Sequence, residues 1–103
     1  MKTINVQELH DRIEMGESLN LLDVREPYEH EDFNIGGILL PLGDIRIGET
    51  ESIEHLKNQE ILCYCRSGNR SGQAAMVLES MGFTNIINVS GGMIAWQDFF
   101  PSK

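Results

Sequence analysis

Short, almost continuously apolar runs alternate with segments of helical period along most of this sequence, and that alternation limits the fold more than any other feature. Leu19-Asn20-Leu21-Leu22-Asp23-Val24 is one such run, bounded by Ser18 and by Arg25-Glu26-Pro27, and Ile61-Leu62-Cys63-Tyr64 is another that stops at Cys65. Apolar residues at successive positions of so short a run suit strands buried on both faces, the pattern of a parallel sheet covered by helices. Gly37 to Leu42 repeats the signature less cleanly, and Ile86-Ile87-Asn88-Val89 reads as a last strand. Between them, Asn5 and Glu8 form a capping-box pattern for a helix over 6–15 with Val6, Leu9 and Ile13 on one side and Gly16 at its end. Glu51 to Asn58 reads as a short helix presenting Ile53 and Leu56. Ser71 stands as the cap of a run with apolar residues at 74, 75, 77, 78 and 81, ended by Gly82. Ser90-Gly91-Gly92 then turns the chain into a closing helix, Ile94 to Phe100, stopped by Pro101. Strands alternating with helices predict an α/β domain around a mostly parallel sheet, and 103 residues hold only one core, so residues 1–103 read as a single domain.

Charge and cysteine usage remove several classes of function. Sixteen acidic against eight basic residues leave a net charge of -8, which opposes binding to nucleic acid or to an anionic membrane surface. The longest apolar stretch, Ile38-Leu39-Leu40-Pro41-Leu42, is far too short to span a bilayer, and the N-terminal residues hold no apolar run. Two cysteines cannot staple a domain of this size, and three scattered histidines form no metal-ligand pattern. The expectation is a reducing, cytoplasmic setting with no membrane or nucleic-acid partner and no metal; no pattern sets an oligomeric state.

In open parallel sheets, ligands bind outside the carboxyl ends of the strands. The stretch Cys65-Arg66-Ser67-Gly68-Asn69-Arg70-Ser71 lies at such an end and joins a strand to a helix. A tight loop entering a helix turns backbone N–H groups inward, and the helix dipole adds partial positive charge at the same place. Gly68 permits the left-handed step that such a loop requires. A lone cysteine at a strand end is usually a small buried hydrophobe. Its coincidence here with two arginines, a glycine and a helix start points instead to an anion-binding thiol of depressed pKa, a standing nucleophile. No clear general base accompanies it, since His30 and His55 sit in glutamate-rich segments and read as solvent-facing. Cys63 shares a strand face with Cys65; a redox pair is conceivable, but same-face strand neighbours suit disulfide geometry poorly, and core packing is favoured. Arg25, at the end of Asp23-Val24-Arg25, could tie loops together by bidentate hydrogen bonds or help cradle an anion, the structural role being favoured. Gly91-Gly92 and Trp96 read as a tight turn and a core anchor.

Taken in order, these residues resemble the rhodanese family in its single-domain form. Leu22-Asp23-Val24-Arg25-Glu26 matches the family's first motif, Ile35-Gly36-Gly37 stands where a His-Ile-Pro-Gly-Ala-like turn is usual, Cys65 to Ser71 matches the active loop, and Gly91-Gly92 with Trp96 matches the C-terminal signature. Asn34 and Gly36 depart from the usual His and Pro, which bears on local turn geometry. The resemblance implies a five-stranded parallel sheet flanked by helices on both faces, and a ping-pong sulfurtransferase needing no metal or organic cofactor. By the same resemblance Cys65 is the nucleophile that becomes a persulfide, backbone N–H groups of the Arg66-Ser67-Gly68-Asn69-Arg70 loop hold the sulfur, and Arg66 and Arg70 attract an anionic donor such as thiosulfate; Asp23, Arg25 and Ser71 support the site. Cyanide, a thiol or a protein is the implied acceptor, with Asp44 to Glu49 as a segment where a protein acceptor could dock. Two rivals remain: a non-catalytic interaction module of the same fold, and a phosphatase or arsenate reductase. The latter have five residues between Cys and Arg where this chain has four, so the implied cradle is smaller. A basic mouth on an acidic body is expected, with a donor KM that rises with salt.

Overall fold

The computed structural model describes residues 1–101, and the last two residues of the expected domain, Ser102 and Lys103, lie outside the described residues. Five strands, β1 (Lys2–Ile4), β2 (Leu21–Asp23), β3 (Ile38–Leu39), β4 (Glu60–Tyr64) and β5 (Asn85–Val89), form one sheet in the order β1-β5-β4-β2-β3, and every neighbouring pair is parallel. The helices are α1 (Val6–Glu14), α2 (Pro27–Asp32), α3 (Leu42–Arg46), α4 (Asn69–Ser80) and α5 (Gly92–Phe99), with a 3-10 helix at Glu51–Leu56.

Pleating of the central strands divides the core into two halves. Ile61, Cys63 and Cys65 point to one face with Leu22, Val24 and Ile86, where Ile45, Ile53, Ala74, Ala75 and Leu78 cover them from α3, the 3-10 helix and α4. Leu62 and Tyr64 point to the other face with Ile87 and Val89, beneath Val6 and Leu9 of α1 and Met93 and Trp96 of α5. Both faces of the sheet are therefore covered, as the near-continuous apolar runs required.

The capping box of α1 is present: Glu8 N–H donates to Asn5 Oδ1 at 2.8 Å and Asn5 N–H donates to Glu8 Oε1 at 3.1 Å. Two expectations need correction. Gly37 to Leu42 is not one strand, because Pro41 ends the extended segment after Leu39 and stands at the N-cap of α3. Ser71 is not the cap of α4; Gly68 is, in the left-handed conformation, and Ser71 lies inside the first turn. The tripeptide β1 and the short α2 go beyond the elements read from the sequence. β1 is an edge strand of three mostly exposed residues, and α2 buries no residue, so neither carries an apolar pattern.

Candidate active site

Cys65 leaves the carboxyl end of β4, the central strand of the sheet, and the loop that follows is shaped from both sides. Gly68 has φ +101°, open to glycine at little cost and strained for other residues. This turn aims Gly68 N–H at Cys65 Sγ, 3.1 Å away, while Ser71 N–H from the first turn of α4 donates to the same sulfur at 3.3 Å. On the outer side, Met93 N–H and Ile94 N–H at the start of α5 each donate at 2.9 Å, to the carbonyls of Cys65 and Arg66 respectively. With its carbonyls drawn to α5, the loop keeps its N–H groups for the sulfur. The approach demands glycine at 92: a Cβ there would lie 2.4 Å from Cys65 O, at φ +54°.

Burial is the largest influence on the Cys65 thiol and pushes its pKa up, but donors from the Ser71 hydroxyl, the N–H groups of Ser71 and Gly68, and more weakly Ser67, outweigh it and leave the thiol below its ordinary value. Cys63 on the same face is pushed up to about 12 by burial, with the charge of Cys65 adding to the effect. The two cysteines thus diverge as expected, one toward thiolate and one toward inert core. Ser71 Oγ lies 3.4 Å from Cys65 Sγ and donates at 2.5 Å to Asn88 Oδ1 on β5. Asn88 Nδ2 in turn donates to Gly68 O at 3.2 Å. Asn88 therefore buttresses both the turn and the hydroxyl, a role invisible in sequence because its partners lie 17 and 20 residues away.

The charged residues divide differently from expectation. Arg70 makes a bidentate pair with Glu29 of α2, at 2.7 and 2.9 Å, which holds the Glu29 carboxyl down at about 2. Arg66 is exposed and, among the described residues, has no ion-pair or side-chain hydrogen-bond partner. Of the two arginines expected to attract an anion, only Arg66 thus carries an uncompensated charge. Arg25 takes the structural role: Nε and Nη2 donate to Asp23 at 2.9 and 2.8 Å, and Nη2 also reaches Phe33 O at 2.5 Å. Burial pushes the Asp23 carboxyl up, yet the hydrogen bonds from Arg25 and His30 overcome it and hold the group below its usual value. His30 corrects its reading as solvent-facing. Its Nδ1 donates to Asp23 Oδ2 at 2.8 Å, and the ring is only 23% exposed. His55 is exposed, as read.

The unusual turn at Asn34 and Gly36 is hydrogen-bonded internally. Asn34 Nδ2 donates to His30 O at 2.9 Å and Oδ1 accepts from Gly36 N–H at 2.8 Å. Ser67 and Asn69 are exposed at the rim, with Asn69 Oδ1 accepting from Gln73. Asp44 to Glu49 packs beside α4, to which Arg46 is tied by a hydrogen bond to Gln73. No helix among the described residues is long and apolar enough to cross a membrane.

A doubly covered parallel sheet with a thiol held by N–H groups at a strand end defines an α/β domain built to stabilise charge on sulfur. The chain belongs to the rhodanese-like domain family, which it matches over residues 5–99. It is 36% identical over 94 residues to a sulfurtransferase of Allochromatium vinosum, covering 90% of this chain and 85% of that protein. It is 39% identical over 94 residues to YrkF of Bacillus subtilis, named for a sulfur-carrier role, covering 90% of this chain but only 49% of that one, so the chain spans about half the length of this relative. Among solved structures, a rhodanese-like domain protein from Staphylococcus aureus superposes with a TM-score of 0.82 at 31% identity over 93% of this chain and 91% of that one.

Proposed function

We propose that this protein is a sulfurtransferase that carries sulfane sulfur as a persulfide on Cys65. The observation that carries the reading is the convergence of Gly68 and Ser71 N–H groups on Cys65 Sγ, at 3.1 and 3.3 Å, in a loop whose neighbouring carbonyls are held away by α5. The names of the Allochromatium and Bacillus relatives support it. The Cys65 thiolate attacks the outer sulfur of thiosulfate; the bond between that sulfur and the sulfonate breaks and sulfite departs with its electron pair. A cyanide or thiolate acceptor then attacks the outer persulfide sulfur, and Cys65 leaves as thiolate. No external oxidant enters either half-reaction.

Fixed N–H dipoles stabilise negative charge on the sulfur in both resting and loaded forms without reorganising during the transfer. Cys65 is 1% exposed, so a single sulfur atom enters the cradle while the sulfonate remains outside, near Arg66. The same restriction opposes a phosphate ester. Incubation with thiosulfate should add the mass of one sulfur atom to the protein and none to Cys65→Ser. Turnover of thiosulfate and cyanide unchanged in Cys65→Ser would overturn the reading. Hydrolysis of an aryl phosphate that Cys65→Ser abolishes would replace it with a phosphatase, and an unmodified wild-type Cys65 with a non-catalytic module.

A further inference from the structure

Beside the Cys65 loop, between α2 and α5, lies an open groove of about 560 Å³. Arg66 lines one part of it and Asp32, the last residue of α2, another; Tyr28, Phe33 and Ile94 contribute apolar surface. Of its four charged side chains, the two besides Asp32 and Arg66 are Arg25 and Glu29, and both are already satisfied. Arg25 is committed to Asp23 and to Phe33 O, and Glu29 spends both carboxylate oxygens on Arg70. That leaves one cation, Arg66, and one anion, Asp32, with no hydrogen-bond or ion-pair partner among the described residues. Asp32 also stands at a helix carboxyl end, where a negative charge opposes the helix dipole and gains nothing for stability.

We propose that this groove is the acceptor subsite and that it selects a small zwitterionic thiol, Arg66 taking its carboxylate and Asp32 its ammonium group, a role that rests on the sulfur-transfer reading above. A purely anionic ligand such as thiosulfate pairs with Arg66 but meets Asp32 as a like charge. A ligand with both charges satisfies both groups, and Phe33 and Ile94 cover its carbon skeleton. The volume lies within the range of small-molecule sites. In the reaction the acceptor thiolate attacks the outer sulfur of the Cys65 persulfide, that S–S bond breaks, and the electrons return to Cys65 as the zwitterionic persulfide leaves.

The test uses protein loaded with thiosulfate, loading being read by mass, then mixed with L-cysteine, cysteamine, 3-mercaptopropionate or 2-mercaptoethanol in single turnover. Each rate is taken as the ratio of Asp32→Asn to wild type, so that the differing acidities of the four thiols cancel. Asp32→Asn should slow transfer to cysteine and cysteamine by roughly three- to fivefold, the worth of one exposed ion pair, and leave 2-mercaptoethanol unchanged. Asp32→Lys should favour 3-mercaptopropionate and penalise cysteamine further. Equal slowing of all four thiols, or of none, overturns the proposal. The groove is also probed without loading: S-methyl-L-cysteine, which has both charges and no thiol, should shift the backbone NMR signals of Arg66 and Asp32 saturably. Absence of those shifts overturns the zwitterion site, whereas failure of wild type to load with sulfur counts against the sulfurtransferase reading.

Discussion

The Ser71 hydroxyl has a single proton, and its 2.5 Å bond to Asn88 Oδ1 uses it. Turned instead to Cys65 Sγ, 3.4 Å away, that proton joins the two backbone N–H groups that stabilise the sulfur once it ionises. Ser71→Ala keeps both N–H groups. Alkylation of Cys65 by iodoacetamide near neutral pH should consequently slow by roughly tenfold, the lower end of the scale of one hydrogen bond to a charged group. In wild type the alkylation rate should rise with pH through an inflection below that of an ordinary thiol, since the folded pKa is lowered, while Cys63 stays unmodified. An inflection at the ordinary thiol value, followed by mass spectrometry, would show that the cradle does not activate Cys65. Glu29 titrates in the other direction. Its carboxyl is held at about 2 against an ordinary value of 4.5, so the Arg70 pair contributes its full stability above 4.5 and loses it as pH falls toward 2. Both side chains are partly exposed, which limits the effect to about 1 kcal/mol. Glu29→Gln should lower Tm by a few degrees near neutral pH and converge on wild type in acid, as read by thermal denaturation across pH.

At the scale of elements, the site is a junction of β4, α4 and α5, and Gly92 is its narrowest point. A Cβ at this position would lie 2.6 Å from both the carbonyl carbon and oxygen of Arg66 as well as 2.4 Å from Cys65 O. Gly92→Ala must push the loop away from α5, adding a left-handed strain of about 1–2 kcal/mol for any non-glycine residue. The expected outcome is a Tm lowered by several degrees together with loss of most sulfur transfer; full activity in a folded Gly92→Ala protein, checked by circular dichroism and turnover, would show that the α5 contact does not shape the cradle. The reading of Gly91-Gly92 as a plain tight turn saw the conformational need but not the neighbour, because Cys65 lies 27 residues away in sequence. That contrast marks what the sequence makes legible. β4, α1 and the left-handed step at Gly68 announce themselves through local pattern: an apolar run, a capping box, a glycine before a helix. α2 is silent because it buries nothing, and with it went the carboxylate that neutralises Arg70 and the histidine on Asp23. Pairs 41 residues apart, such as Glu29 with Arg70, leave no periodic trace.

Over the whole molecule, the balance of charge changes once Arg70 is known to be paired. The expectation of a donor KM that rises with salt assumed two free arginines at the mouth; the structure leaves Arg66. Attraction of a dianion to that single charge at about 4 Å in water amounts to roughly 2 kcal/mol before screening. Repulsion from a net charge of -8, taken at the 12.6 Å radius of gyration, is about 5 kcal/mol on the same footing. Screening separates the two by distance. With a Debye length of about 10 Å at 0.1 M salt, the repulsion falls by roughly three-quarters while the attraction at close range keeps about two-thirds of its strength, so the two become comparable. At lower salt the body's charge dominates. The thiosulfate KM should therefore fall, not rise, as ionic strength increases from about 0.01 to 0.1 M, and Arg66→Gln should raise KM throughout that range. Steady-state rates at fixed pH with sodium chloride varied decide the matter. A KM that climbs steadily from the lowest salt would mean that local attraction dominates, and that Arg70 acts on the donor despite its pairing with Glu29.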